Sequence, residues 1–272
     1  MSEAVITSAR GGSSSDGVLG AATTFWFFVT LAGQWVFLYY IVAFYGPSAM
    51  SGDLSQWNRH IFIDNAFVPG DLAGNVAFGA HVALAATIVL GGTLQLIPQI
   101  RARVLGVHRW NGRVFMTAAI LASLAGLYMV WIRGHQQTGI VGAFAITLNA
   151  ALVLLFAAVA WRSAASRDIT RRRRWAMRTF MVVNGVFWLR LLFPGLVVIT
   201  QAEPSALTFH ILSFASYLLP WALLELYLHA KDKGGRAAQW GAAGVVFAAS
   251  GYMIVGLFGF YMIFVQRMLG AA

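Results

Sequence analysis

The chain contains no cysteine and little charge. With no cysteine among its 272 residues, disulfides, thiolate metal sites, iron–sulfur clusters and cysteine nucleophiles are all excluded. Charged residues make up 10% of the sequence, against roughly a quarter in soluble domains. No phosphate-cradling glycine loop and no Ser-His-Asp arrangement is recognisable, so a soluble-type nucleotide enzyme is not indicated. Lysine occurs only at Lys231 and Lys233, which the sequence places in a loop, and this excludes a retinal Schiff base inside a helical bundle. The net charge of +10 has no soluble basic face to sit on, so nucleic acid is not an expected partner.

What is present is hydrophobic, 59% of the residues. About 20 apolar residues cross ~30 Å of hydrocarbon as a helix. The sequence predicts seven such spans, at Ala21 to Tyr45, Ala73 to Ile100, Gly112 to Ile132, Gly139 to Trp161, Trp175 to Thr200, Ala206 to Leu228 and Trp240 to Val265. The first is too long for the ~7 to 15 residues of a signal-peptide core and is read as retained. The expected fold is therefore an all-α polytopic bundle. It has a Gly/Ser-rich tail over residues 1–20, one seven-helix domain over 21–266 and a short tail at 267–272.

Orientation follows from the basic residues, which accumulate in cytoplasmic loops. With the N-terminus inside, fifteen of the nineteen Lys and Arg residues fall on the cytoplasmic side, three outside, and Arg190 inside a span. The C-terminus is then outside, and the expected location is a bacterial inner membrane. Two knots, HRWNGRVF (108–115) and RRWAMRTF (173–180), open the third and fifth spans. Their His108, Arg109, Trp110 and Arg113, and Arg174, Trp175 and Arg178, are expected to anchor to anionic phospholipid, Arg at the phosphate and Trp at headgroup depth. Extended by one residue, the knots agree at five positions in nine, which suggests that spans two and three and spans four and five are parallel copies of one hairpin.

The run GAHVALAATIVLGGTLQLIPQIRARVLGVHRWNGRVF, with RRWAMRTF and FWLRLLFP, resembles the membrane proteins of domain-of-unknown-function family 2306 over about residues 75–228. The shared elements are His81, Gln95, His108 with Arg109, Trp110, Gly112 and Arg113, then Arg174, Trp175, Met177 and Arg178, and Arg190. Arg173 stands where the family pattern carries a histidine. The resemblance implies a fold rather than an activity.

An ionisable residue inside a span is costly and marks a functional site by default. Arg190 lies ~22 Å past Trp175, with His81 and His210 ~12 Å and ~6 Å below the outer ends of their spans, all at 1.5 Å per residue. One reading puts these three groups, with Gln95 and Tyr217, around an outer-leaflet cofactor: a b-type haem with His81 and His210 on the iron, or a quinone, in electron transfer. Histidines fourteen residues apart on one helix would allow a second haem. Here the matching positions are Gln95 and Leu224, so one haem is the limit. A divalent metal held by His60, His81, His135 and His210 with loop carboxylates is a further reading. Against these stand a structural reading, in which the polar groups join helices or pair with Glu203, a non-catalytic accessory subunit of a larger complex, and a transporter hinted at by the repeat with Pro194 and Pro220. The stripe His210, Tyr217, Trp221, Glu225 is read as an inward seam whose Glu225 pairs with an arginine.

Overall fold

The structure is a computed structural model that describes residues 14–59, 65–134, 139–166, 168–202 and 204–270. Among them there are helices and turns but no strand. The helices are α1 (Ser14–Ser51), α2 (Leu72–Leu96), the short α3 (Pro98–Arg103), α4 (Leu105–Tyr128), α5 (Gly139–Ala165), α6 (Ile169–Val183), α7 (Gly185–Thr200), α8 (Ala206–Asp232), α9 (Arg236–Phe260) and the short α10 (Gln266–Gly270). Six helices are long and apolar enough to cross a membrane, and a seventh span is formed if the bent pair α6 and α7 counts as one. Helix is the outcome because an unpaired backbone group in hydrocarbon costs several kcal/mol, and only internal pairing avoids that.

The starts of α2, α6 and α8 carry polar caps. Asp71 accepts from the Gly74 amide at 2.8 Å, Asp168 from Arg171 at 2.9 Å and Ser205 from Thr208 at 3.2 Å. α2 stops at Leu96 instead of running to Ile100, because Ile97 precedes Pro98 and takes the extended conformation that proline imposes on its predecessor. The HRWNGRVF knot lies within the first turns of α4, which begins at Leu105 instead of Gly112. RRRRW likewise rides on α6, which begins at Ile169. Lys231 belongs to the last turn of α8, not to a loop, and still lies at that helix's end.

The fifth span is broken at Asn184, and α6 and α7 meet at 51°. Around it, α1, α2, α4, α5, α8 and α9 close into a ring, each packed on the next. α6 leans on α5, α7 leans on α9, and both touch α8, so the broken span crosses the interior diagonally. The ends of the bundle differ: one carries the arginine knots, and the other, the far end, carries the Asp71–Arg133 clamp. There Arg133 meets Asp71 at 3.1 Å and donates to the Ala66 and Gly74 carbonyls and to Asn75 Oδ1, fastening the segment before α2 to the end of the third span.

Breaking a helix inside a membrane frees carbonyls that must find donors. Side chains supply them. Asn184 Nδ2 donates to the Phe180 carbonyl at 2.8 Å, the Trp188 indole to Met181 at 2.9 Å and Asn149 Nδ2 to Val182 at 3.2 Å. Asn184 is itself held from α1, where Gln34 Nε2 donates to its Oδ1 at 3.0 Å in the buried core. α7 is then pressed against α9 through glycines. A Cβ on Gly259 would lie 2.8 Å from the Pro194 carbonyl oxygen, and one on Gly256 would collide with the Leu191 carbonyl. Tyr252 of α9 donates to the Leu192 carbonyl at 2.7 Å.

Candidate functional site

The bend creates space. Because α6 follows α5 and α7 departs toward α9, a cavity of about 400 Å³ remains on the far side of the break. Its wall is mostly apolar, drawn from every ring helix but α9, and it carries few polar groups, among them His81, Asn149, Arg190, Ser216 and Tyr217.

His81 of α2 is held from across the helix pair. Its Nδ1 lies 3.0 Å from the carbonyl oxygen of Ala122 on α4. A carbonyl oxygen can only accept, so Nδ1 carries the proton, and in the neutral form of the ring Nε2 is the acceptor. Gly126, one turn on, gives the imidazole room: a Cβ there would touch its Cε1 at 3.6 Å. Tyr217 of α8, a residue of the cavity wall, is 1% exposed, and its buried hydroxyl has no hydrogen-bond partner among the described residues. Arg190 of α7 stands over the rings of Phe37 and Phe264, with its guanidinium carbon 5.9 and 5.4 Å from their centroids, within cation–π range.

The sequence-predicted site is thus assembled in part. His81, Arg190 and Tyr217 share one cavity. His210 does not line it, although its neighbour Phe209 does. Gln95 belongs to the opposite end of α2, ~21 Å from His81 by helix rise, where its Nε2 donates to the His108 carbonyl at 2.7 Å and ties α2 to α4. Of the divalent-metal candidates, His60 and His135, with Asp64 and Glu203, lie outside the described residues, and no group of three metal-ligating side chains occurs among those described.

At the arginine-rich end the two knots behave differently. Arg113 stacks on Trp110 at 5.2 Å, and Arg109, Trp110 and Arg113 are all exposed. Arg178 stacks on Trp175 at 4.6 Å in the same i, i+3 relation but faces inward, bonding both oxygens of Glu225 at 2.5 and 2.8 Å. Trp221 donates to Glu225 at 2.9 Å, and Phe156 lies against Trp175 and Trp221, with centroids 5.2 and 5.0 Å away. Arg174 is paired with Asp232 at 2.7 Å. Arg178 is therefore committed to protein, as Glu225 in an inward seam requires. His108 is half-buried, with Arg101 and Arg172 close enough to add to the positive potential at its ring.

Sequence reasoning passed over Gln34, Asn149 and Asn184. Each is an uncharged amide inside an apolar run, and such residues act as hydrogen-bonding glue between membrane helices. That was the signal available for them.

A family model described as predicted membrane protein (DUF2306) matches residues 78–228, which include most of the cavity wall and both knots but not α1 or α9. No curated protein and no solved structure matches the chain.

Proposed function

This chain belongs to the DUF2306 family of predicted membrane proteins, and we propose that the cavity beside its broken span binds a lipid-soluble ligand of the quinone class. The observation that carries this reading is the His81–Ala122 hydrogen bond, which commits Nδ1 to the protein and leaves Nε2 of this wall residue, in the neutral ring, as an acceptor for a ligand. A quinol hydroxyl donates to Nε2, and the Tyr217 hydroxyl, without a partner among the described residues, donates to the ring's second oxygen. Arg190, shielded by Phe37 and Phe264, biases the cavity toward oxygen-rich heads. Volumes of roughly 300 to 1,000 Å³ suit such ligands, and this one is about 400 Å³. With the arginine-rich end in the cytoplasm, the site lies in the outer leaflet, where a quinone serves electron transfer. A bis-histidine haem fits less well, since His81 is the only imidazole on the described wall. An ion-coupled transporter is also less favoured: the Phe180, Met181 and Val182 carbonyls freed at the break are already taken by side chains.

The test uses detergent-purified protein and a short-tailed benzoquinol. The quinol is expected to raise the unfolding temperature, and His81→Phe, which keeps the bulk but removes the acceptor, to weaken binding by about tenfold, the worth of a hydrogen bond near 1.4 kcal/mol. Equal binding by both proteins would sink the proposal. A Soret band that shifts on dithionite reduction would replace it with haem.

A second reading has its own observation. Trp110, 67% exposed beneath Arg113, is placed to meet an anionic headgroup at the membrane surface, as an accessory or anchoring subunit would need.

A further inference from the structure

The ring of helices does not close equally at both ends. α5 and α8 run in the same direction, from the far end toward the arginine knots. Their lower halves are joined by Phe156 against Trp221 at 5.0 Å, and Val153 shares a buried cluster with Tyr217. Nearer the far end, the span that packs between them has bent away onto α9. Gly142 and Ile146 of α5 and Phe209 and Ser213 of α8 line the cavity from the two sides, with Val186 of α7 behind. Val186 is 50% exposed and Ile146 36%, although Gly185 and Phe187, on either side of Val186, are buried. Val186 stands in the first turn of α7, just past the break in an interior span, and exposure to that degree is what an incomplete wall in front of it produces.

We infer that the cavity opens sideways into the bilayer between α5 and α8, and that its occupant is a tailed amphiphile whose head lies near His81 and whose chain leaves through this opening. The identity of the head rests on the reading given under Proposed function; the opening does not. About 400 Å³ holds a substituted ring but not a ring with a long chain. The chain needs an apolar exit, and Ile146, Val186 and Phe209 provide one. Exit through a bundle end would instead lead the chain into water, at roughly 0.8 kcal/mol for each methylene left exposed.

The lack of native cysteine makes the test clean. A nitroxide is attached to Val186→Cys, and in a second protein to Ile146→Cys, in lipid vesicles. Collision rates with oxygen, which concentrates in the bilayer, and with a water-soluble nickel chelate are measured. Ile254→Cys on the exposed face of α9 and Val153→Cys in the closed part of the wall, 47% and 1% exposed, are the references. Both portal labels are expected to match Ile254, with high oxygen and low nickel accessibility. If both are as shielded from oxygen as Val153, or if nickel reaches them freely, the opening is refuted. A long-tailed quinol is then expected to lower oxygen access at Val186→Cys several-fold, while a tailless quinol leaves it unchanged. Tailless quinol binding that depends on His81, with no shielding by the tailed form, refutes the tail path. Failure of every quinol to bind refutes the quinone reading alone, since the oxygen measurement decides the opening without a ligand.

Discussion

Arg178 of α6 and Glu225 of α8 form a two-point ion pair, with the guanidinium face on Trp175 and the carboxylate also bound by the Trp221 indole. It is the main polar tie between the first half of the broken span and the rest of the ring at that end. Glu225→Ala leaves Arg178 charged and only 17% exposed. The expected loss is about 1 to 3 kcal/mol, below the 3 to 5 kcal/mol of a fully buried pair because Glu225 keeps 40% of its surface exposed. Thermal unfolding in detergent of E225A, R178M and the double variant checks this. The double variant should be less destabilised than the sum of the singles.

The glycines of α9 offer a contrast within one helix. Gly256→Ala puts a methyl into the Leu191 carbonyl and is expected to cost about 1 to 3 kcal/mol as overpacking. Gly251→Ala, with nothing within 4 Å of its new methyl, should be neutral or stabilise by up to about 1 kcal/mol. Unfolding midpoints that move together for the two variants would contradict the α7–α9 contact.

Arg133→Gln removes the partner of Asp71 and donors to two carbonyls at the far end. Hydrogen exchange should rise over residues 66–75 and stay unchanged in α9. A uniform rise across the chain would mean that the clamp is not local.

For the exposed knot, Arg109→Gln with Arg113→Gln should reduce co-purification of phosphatidylglycerol but not of phosphatidylcholine, as read by native mass spectrometry. Arg178→Gln should not, because that side chain is turned to Glu225. Equal loss from both sets would mean that the inward and outward knots are not functionally distinct.

The apolar runs made the spans legible, since chain length in hydrocarbon leaves few choices, and Arg190 with His81 marked the cavity because an ionisable group in lipid has few tolerable places. The break at Asn184 was not legible. No proline stands there, and the amide that ends α6 looks in sequence like any polar residue in a span; its meaning depends on Gln34, a residue 150 positions away. His210 was misplaced for a related reason. Helical rise fixes depth but not the direction in which a side chain points, and with 3.6 residues per turn the face that sends Phe209 to the cavity leaves its neighbour off the wall. The twin knots were seen as equals, whereas only a tertiary partner, Glu225, makes one of them internal.

The hollow beside His81 owes its place to more than the small residues on its wall. It is the wedge between two directions of one chain, fixed by an asparagine and the amides that hold it. Wall residues such as Ile146 or Phe209 are therefore free to vary, reshaping what fits, without altering whether there is room at all. Straightening the elbow would abolish the chamber while leaving every residue that faces it unchanged.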